Sequence, residues 1–271
     1  MTTGAAQTYS AQSDFVRYAL GMELNAVPGT LFAYNPLAYS LLPDIVRKVS
    51  RKPIDSFLAE RLFGALGIDR FYWLSDAAKN RLGMSGLHVG PRDLATIGQL
   101  LVARGAWRGR QIISQRWLRA ALQAQSRLIR NTGLFWWLIY ERSDHMVTDA
   151  DIARWRAAGI AHKLVDRVAE LDNQPLATAA YIAALRGRLG DAGLDEWTRA
   201  LASAHTAGAS LQWGKLVGCS ARGNLGQYLL VYPAQQLVIA RMISSAGHAS
   251  DDDGFDDIFA LGAALAGIPR A

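Results

Sequence analysis

The fold is decided by residues 28–42, Pro-Gly-Thr-Leu-Phe-Ala-Tyr-Asn-Pro-Leu-Ala-Tyr-Ser-Leu-Leu. The opening Pro-Gly pair favours a turn, because proline presets φ and glycine adopts backbone conformations that other residues avoid. A short apolar run reaches Tyr34, and Asn35 and Pro36 then interrupt it before an amphipathic helix. We therefore predict that Tyr34 lies at a loop–helix junction, where a rigid scaffold can present its hydroxyl to a cleft. A tyrosine that only packs in the core or caps a helix explains the same pattern.

The region around this stretch, residues 10–125, is predicted to be a helical subdomain. Apolar residues recur at helical spacing from Leu41 to Val49, from Ile54 to Phe63 and from Leu94 to Leu101. We expect these positions, Ile45 and Val49 among them, to face the core.

Two serines stand where helix N-caps are expected. Ser13 precedes a predicted helix that ends near Gly21, and Ser114 precedes a helix that is predicted to bury Trp117.

The rest of the fold is predicted from strand-like segments. Residues 134–140 are apolar and rich in aromatic side chains, which predicts a buried strand. Three further strands are expected at 211–217, 227–232 and 236–244. We predict that the four segments form one antiparallel sheet with a C-terminal helix, residues 254–266, on one face, which is an α+β arrangement. The sheet part comprises residues 130–142 and 209–271.

Residues 143–208 form a polar segment with four predicted helices. We interpret it as an insertion into the parent fold or as a lid beside its cleft. With the helical and sheet parts it makes a single predicted domain over residues 1–271.

Composition excludes several classes of protein. The net charge of +6 is carried almost entirely by arginines that are scattered along predicted helices, so we expect solvated helix surfaces and no nucleic-acid-binding stripe. No apolar run approaches the roughly 18 residues of a membrane span. The first residues have neither the basic nor the apolar region of a signal peptide, and the sequence assigns no compartment.

Pro-Gly-Thr, an apolar or aromatic pair, Tyr34, a short polar pair and a Leu-Leu helix resemble the second motif of the serine β-lactamase/penicillin-binding superfamily, in particular its class C-like esterases and nylon-oligomer hydrolases. The resemblance continues in order through Ser85-Gly86-Leu87-His88 and the segment that starts at Gly226. It implies a β-lactamase/transpeptidase-like fold and a serine hydrolase that cleaves a small-molecule ester or amide through an acyl-enzyme.

The resemblance also assigns roles to residues. In this superfamily the serine of a Ser-x-x-Lys motif attacks a carbonyl, lysine and tyrosine relay its proton, and backbone N–H groups hold the oxyanion. By resemblance, Tyr34 is the proton-relaying tyrosine and the Gln227 N–H is an oxyanion donor. The implied substrate-binding residues are Asn35, His88, Asn224 and Gly226.

Two positions depart from the family's pattern. Asn35 directly follows the tyrosine and Pro36 occupies the usual asparagine position, which makes a cephalosporinase-type specificity unexpected. Asn224 replaces the usual cationic or ring side chain of the third motif, which weakens recognition of a substrate carboxylate.

The nucleophile motif is missing from this sequence. None of the serines among the 271 residues has a lysine three positions later. In the family the nucleophile lies upstream of the tyrosine, and the initial Met-Thr-Thr-Gly resembles the turn that follows the nucleophile helix. The resemblance therefore implies an N-terminally incomplete domain that is inactive in this chain. The alternative is a non-catalytic pseudoenzyme or binding module of the same fold.

Cofactor chemistry is not expected. The five histidines lack close metal-ligand spacing, and a lone histidine such as His88 has a structural explanation as well as a substrate-binding one. Cys219 is the only cysteine, so the chain forms no internal disulfide. We predict that the protein uses neither a metal ion nor another cofactor.

Overall fold

The structure is a computed structural model that describes residues 12–24, 26–28, 32, 34–126, 129–223, 226–243 and 257–268. The chain divides into two compact units, Met1–Ile139 with Gly218–Gly262, and Tyr140–Val217 with Ala263–Ala271. The single domain over residues 1–271 stays a prediction. Within the described ranges, no helix is long and apolar enough to cross a membrane.

The first unit is helical where the sequence predicted helices. Its helical elements are α1 (Phe15–Leu20), a 3₁₀ turn (Pro36–Ser40), α2 (Leu41–Ser50), α3 (Ile54–Leu58), a π-helical turn (Ala59–Phe63), α4 (Gly64–Leu66), α5 (Pro91–Val102) and α6 (Gln115–Ala121). Two short antiparallel pairs connect them, β1 (Tyr72–Trp73) with β2 (Leu87–His88) and β3 (Ala106–Trp107) with β4 (Arg110–Gln111).

The helix caps follow the sequence with one correction. Ser114 caps α6 as predicted, because its hydroxyl accepts a hydrogen bond from the Trp117 N–H. The predicted cap of α1, Ser13, is wrong by one residue. Asp14 caps this helix by accepting from the Arg17 N–H at 3.0 Å, and a carboxylate there also suits the helix dipole.

Three side chains that were predicted to face the core are exposed. Trp117 is 56% exposed, and Ile45 and Val49 of α2 are also open to solvent. Helical spacing determines which residues share a face, but not whether another element covers that face. The core beside α3–α5 is instead built on Phe63, Leu66, Ile68 and Leu100.

The main sheet contains the strands β5 (Trp137–Tyr140), β9 (Leu216–Gly223), β10 (Gln227–Tyr232) and β11 (Leu237–Arg241), in the order β11-β10-β9-β5. β10 is antiparallel to both β9 and β11. Successive side chains of β10 point to opposite faces of the sheet. One face meets α5, where Gly98 lies against Leu229, and the other meets α10 (Asp257–Leu265), where Gly262 lies against Leu230. The predicted α+β fold, with the C-terminal helix on one face of an antiparallel sheet, is confirmed.

Two strand predictions are wrong in part. The segment 134–140 becomes a strand only at Trp137, because Phe135 has a φ of 64° and leaves the extended conformation. Residues 211–217 are not one strand of the main sheet. Their first part belongs to β8 (Ser210–Trp213), which pairs outside the main sheet, and their last part begins β9.

The chain changes sheets at Gly214. The Gly214 N–H donates to the Arg142 carbonyl, and the Glu141 N–H donates to the Lys215 carbonyl. A Cβ at position 214 would lie 2.6 Å from the Glu141 side chain, so any other residue here would displace that side chain. This passage interrupts the extended run that the sequence predicted over residues 211–217.

The second unit has its own sheet, which the sequence did not predict. β6 (Ser143–Met146) lies between β7 (Leu176–Ala177) and β8. The helices are α7 (Asp149–Ala157), α8 (His162–Ala169) and α9 (Thr178–Ser203), in which Gly190 leaves the helical conformation with a φ of 72°. Their core includes Trp155, Val165, Val168, Leu185 and Trp197. The sequence did not indicate β6 as a strand, because its residues are mostly polar and so short a strand shows little periodicity.

Candidate active site

Tyr34 lies immediately before the 3₁₀ turn, at the loop–helix junction that the sequence predicted. Its side chain is partly exposed, at 37%. The Tyr34 ring has two aromatic neighbours, Tyr39 with a centroid distance of 6.0 Å and Trp137 also at 6.0 Å. The hydroxyl-bearing ring is therefore supported by other rings and remains accessible.

Asn35 holds the turn that positions Tyr34. Its Oδ1 accepts a hydrogen bond from the Leu37 N–H at 3.0 Å, and Pro36 occupies the first turn, where its missing N–H has no consequence. The side chain of Asn35 thus has a structural role, and substrate binding by this residue stays a prediction. Its side chain also lines the same cavity as Tyr34.

A cavity of about 320 Å³ opens beside Tyr34. Its walls are mainly aromatic, from Phe32, Tyr34, Tyr39, Phe135, Trp136 and Trp137. The polar lining residues are Asn35, Gln125, Ser126 and Thr132. Asp, Glu, Lys, Arg and His are all missing from the described residues of this lining. We call it the aromatic cavity.

One wall of the aromatic cavity is a tight loop between Thr132 and Trp137. These two residues form an antiparallel bridge. The Leu134 N–H donates to the carbonyl of Ala121 at the end of α6. A Cβ at Gly133 would lie 2.1 Å from that same carbonyl oxygen. Glycine is therefore required for the loop to lie against the end of the helix.

The tyrosine hydroxyls of the cavity differ in their surroundings. Burial raises the pKa of Tyr39, and its proximity to Tyr34 raises that pKa further. The Tyr39 hydroxyl consequently stays protonated at neutral pH and can act as a hydrogen-bond donor. The more exposed Tyr34 is the better placed of the two to exchange a proton with a bound molecule.

Gln227 and Gly226 lie at the start of β10, in the first unit. Gln227 pairs with Gly223 of β9, and its side-chain amide makes two hydrogen bonds with the main chain of Ile243, at 2.7 and 3.0 Å. The Gly226 carbonyl accepts from the Arg241 guanidinium at 2.9 Å. This end of the strand is thus held firmly. Asn224 lies outside the described residues.

Arg222 connects this strand region to Tyr34, and the sequence reasoning missed it. Its guanidinium carbon lies 5.4 Å from the Trp137 ring centroid and 4.3 Å from that of Phe259. Its Nε donates to the hydroxyl of the buried Ser220. Its sequence context does not distinguish it from the other arginines of the chain.

His88 is in a different setting. On β2 its ring stacks on that of Tyr72, with centroids 4.1 Å apart and an angle of 11°. It is not among the residues that line the aromatic cavity. The structure therefore brings Tyr34 and Asn35 together and links them through Trp137 and Arg222 to β9, which pairs with the strand of Gln227. It gives His88 a packing partner elsewhere.

Other features of the described residues do not form an alternative site for the predicted chemistry. A larger groove of about 900 Å³ lies between α3, the π-helical turn and α6, and none of the predicted site residues lines it. Within the described ranges, no group of three or more His, Cys, Asp or Glu side chains could hold a metal ion. Burial raises the pKa of the Cys219 thiol to about 12, so this thiol is not a nucleophile at neutral pH.

A family model described as Beta-lactamase matches residues 1–263. A protein from Bacillus anthracis that is named as a 6-aminohexanoate-dimer hydrolase is 17% identical, with a TM-score of 0.57 over 97% of this chain and 52% of its own. A protein from Bacteroides dorei DSM 17855 that is named as a beta-lactamase is 13% identical, with a TM-score of 0.54 over 93% of this chain and 64% of its own.

No curated protein matched the sequence. At these identities the structural likeness shows the fold alone. The chain spans 52% and 64% of the lengths of the two proteins.

Proposed function

The chain belongs to the beta-lactamase family, and from this premise we propose that its aromatic cavity is one side of a serine-hydrolase site. The family resemblance supports a function of the serine-hydrolase type. The proposed reaction is hydrolysis of a small-molecule ester or amide through an acyl-enzyme. A serine attacks the carbonyl, an intermediate ester forms, and water then releases the acid.

The observation that carries this proposal is the position of Tyr34. A group that relays a proton must reach the reacting atoms, so it has to be accessible and yet held in place. Tyr34 is partly exposed, precedes the main-chain turn that Asn35 caps, and packs against Trp137. In the proposed reaction its hydroxyl passes the serine's proton toward the leaving group.

The oxyanion is assigned to main-chain N–H groups, of which Gln227 supplies one. Such donors are effective when they are already oriented before the reaction begins. Both the side chain of Gln227 and the carbonyl of Gly226 are hydrogen-bonded, which keeps this strand end rigid. Asn224, Gly226, Asn35 and His88 remain proposed substrate-binding positions.

In the hydrolase that we propose, the nucleophile lies outside these 271 residues, because they contain no Ser-x-x-Lys. We therefore propose that the chain by itself forms no acyl-enzyme. A non-catalytic relative that keeps the cleft as a binding site is the second candidate, and the same missing motif favours it. Neither candidate requires nucleic acid, since the arginines are scattered along the chain.

The proposal is tested by reading the gene upstream of Met1 and by labelling. We expect an in-frame Ser-x-x-Lys upstream, no reaction of the 271-residue chain with a fluorophosphonate probe, and stoichiometric labelling of the extended protein at that serine. Stoichiometric labelling of a serine in the 271-residue chain would contradict the assignment of the nucleophile. An upstream sequence without the motif would favour the binding module.

A further inference from the structure

We propose that the aromatic cavity binds the acyl group of the substrate, that this group is planar, apolar and uncharged, and that Phe135 selects it. The inference rests on the proposed function only in calling the ligand a substrate. The lining of the cavity and the conformation of Phe135 are read from the described residues of this chain alone. The substrate class is thereby narrowed to esters or amides of aromatic or similarly flat acids.

The described residues of the lining favour an uncharged ligand. Six of the lining side chains are aromatic: Phe32, Tyr34, Tyr39, Phe135, Trp136 and Trp137. Among the described lining residues there is no ionised side chain to compensate a ligand charge. Moving a carboxylate or an ammonium group from water into such a cavity is strongly unfavourable without a partner. Arg222 lies over Trp137, but it does not line the cavity.

The orientation of the rings in the aromatic cavity favours a flat ligand. Phe135 meets Tyr39 edge to face, at 5.2 Å and 80°, and Tyr39 meets Tyr34 in the same way, at 6.0 Å and 74°. Aromatic pairs prefer this arrangement or an offset stack, so a flat ligand can add a further ring to the series. A cavity of about 320 Å³ is at the small end of ligand sites, which suits an acyl group of one or two rings.

Phe135 is the residue of the cavity that packing alone does not explain. Its side chain is 60% exposed, although it is large and apolar. Its φ of 64° lies in the left-handed region that bulky residues avoid. Such conformations persist where the surrounding structure imposes them, and they concentrate at ligand sites. Here the neighbouring residues impose it, since the main chain of Gly133 bonds to Trp136 and that of Leu134 bonds to Ala121.

The exposed ring of Phe135 gains a partner when a flat apolar group enters the cavity. In the structure it packs edge to face on Tyr39, and Phe135 is 60% exposed. A bound aromatic ring would cover more of it, and removing this apolar surface from water favours binding. A charged or strongly puckered group would cover it less well, so Phe135 discriminates between acyl groups.

The test measures binding of three methyl esters to the 271-residue chain by ligand-observed NMR. The esters are methyl benzoate, methyl 4-carboxybenzoate, which carries a charged carboxylate on the same flat ring, and methyl cyclohexanecarboxylate, in which a puckered saturated ring replaces the flat one. We expect methyl benzoate to bind about tenfold more tightly than the carboxylate and also more tightly than the cyclohexane ester. Equal or tighter binding of either analogue overturns the inference.

The role of Phe135 is tested with Phe135→Gly, which removes the ring and relieves the left-handed backbone, so the variant is expected to fold. It should weaken binding of methyl benzoate about tenfold, whereas Phe135→Tyr keeps the ring and should leave the affinity within about twofold. Trp117→Ala, in the larger groove, is the control for loss of an exposed aromatic residue. Unchanged affinity of Phe135→Gly overturns the assignment.

The two proposals can fail separately. Binding of methyl benzoate with the expected selectivity, combined with no labelling of an extended protein by a fluorophosphonate, contradicts the hydrolase and leaves the ligand class intact. Labelling of the extended protein without selective binding contradicts the ligand class and leaves the hydrolase intact.

Discussion

The guanidinium carbon of Arg222 lies 5.4 Å from the ring centroid of Trp137. Trp137 in turn lies 6.0 Å from the ring of Tyr34, so one indole joins the strand that precedes Gln227 to the predicted catalytic tyrosine. Arg222 also lies over the ring of Phe259. The side of the site that this chain contains is therefore held together by a cation between two aromatic rings.

Replacing Arg222 by methionine keeps most of the apolar stem but removes the cation. A cation over an aromatic ring contributes about 0.5–1 kcal/mol at an exposed site, so we expect Arg222→Met to lower the free energy of unfolding by about 1 kcal/mol. Urea denaturation followed by tryptophan fluorescence measures this. Arg70→Met, at an exposed arginine, should change stability by much less. Equal effects of the two substitutions would contradict a role for Arg222 in holding Trp137.

Alanine in the loop of the aromatic cavity should lower the free energy of unfolding, whereas alanine at a control glycine in α9 should raise it. Gly133→Ala should lower the free energy of unfolding by about 2 kcal/mol, because the new methyl group meets the Ala121 carbonyl and forces the backbone to shift. Gly187→Ala, in α9, meets nothing within 4 Å and should raise it by about 0.5–1 kcal/mol, because alanine favours helix. Thermal unfolding of both variants, followed by circular dichroism, tests the pair. If Gly133→Ala left the free energy of unfolding unchanged, the loop would not lie against α6.

Asp151 makes the second unit sensitive to acid. Its carboxylate is fully buried and accepts hydrogen bonds from the main chain and hydroxyl of Ser210 and from Thr148, and it forms an ion pair with Arg154. Burial raises the pKa of Asp151, but these hydrogen bonds, with that of the Ser210 N–H first, outweigh burial and lower the pKa below its usual value.

The pH dependence follows from the direction of that shift. The pKa of Asp151 in the folded chain is below the value of about 3.9 for an unfolded chain, so the stabilisation is present at neutral pH and is lost as the pH falls below about 4. Asp151→Asn should lower stability at pH 7 by about 3 kcal/mol and flatten the dependence on pH below about 5. Urea denaturation between pH 7 and 3 measures both effects. Asp149→Asn, in the same helical turn, is the control, and an equal response of the two variants would rule out a special role for Asp151.

The sequence predicted best where a physical rule acts on neighbouring residues. The Asn35-Pro36 pair predicted the junction after Tyr34, and the strand-like run at 227–232 predicted β10. Each of these follows from residues that are close in the chain. The cap of α1 was misplaced by one residue because Ser13 and Asp14 are both good caps, and only the structure shows which side chain meets the Arg17 N–H.

Contacts between distant segments could not be predicted. Phe135 belongs to an apolar run, and its left-handed conformation depends on the end of α6, which the local sequence does not specify. Arg222 is one of many arginines, and it is distinguished only by the rings of Trp137 and Phe259 that lie beside it. The roles of Tyr34 and Gln227 came from resemblance to a family and remain proposals about chemistry.

The most direct measurement of the proposed chemistry is the turnover of a 4-nitrophenyl ester by the protein extended upstream to include Ser-x-x-Lys, with and without Tyr34→Phe. Loss of a group that transfers a proton in the transition state should lower kcat by about 10²–10⁴-fold, while Tyr140→Phe, on β5, serves as the matched control and should leave kcat unchanged. An extended protein whose kcat is the same with Tyr34→Phe as without it would contradict the assignment of Tyr34 as the proton-relaying group.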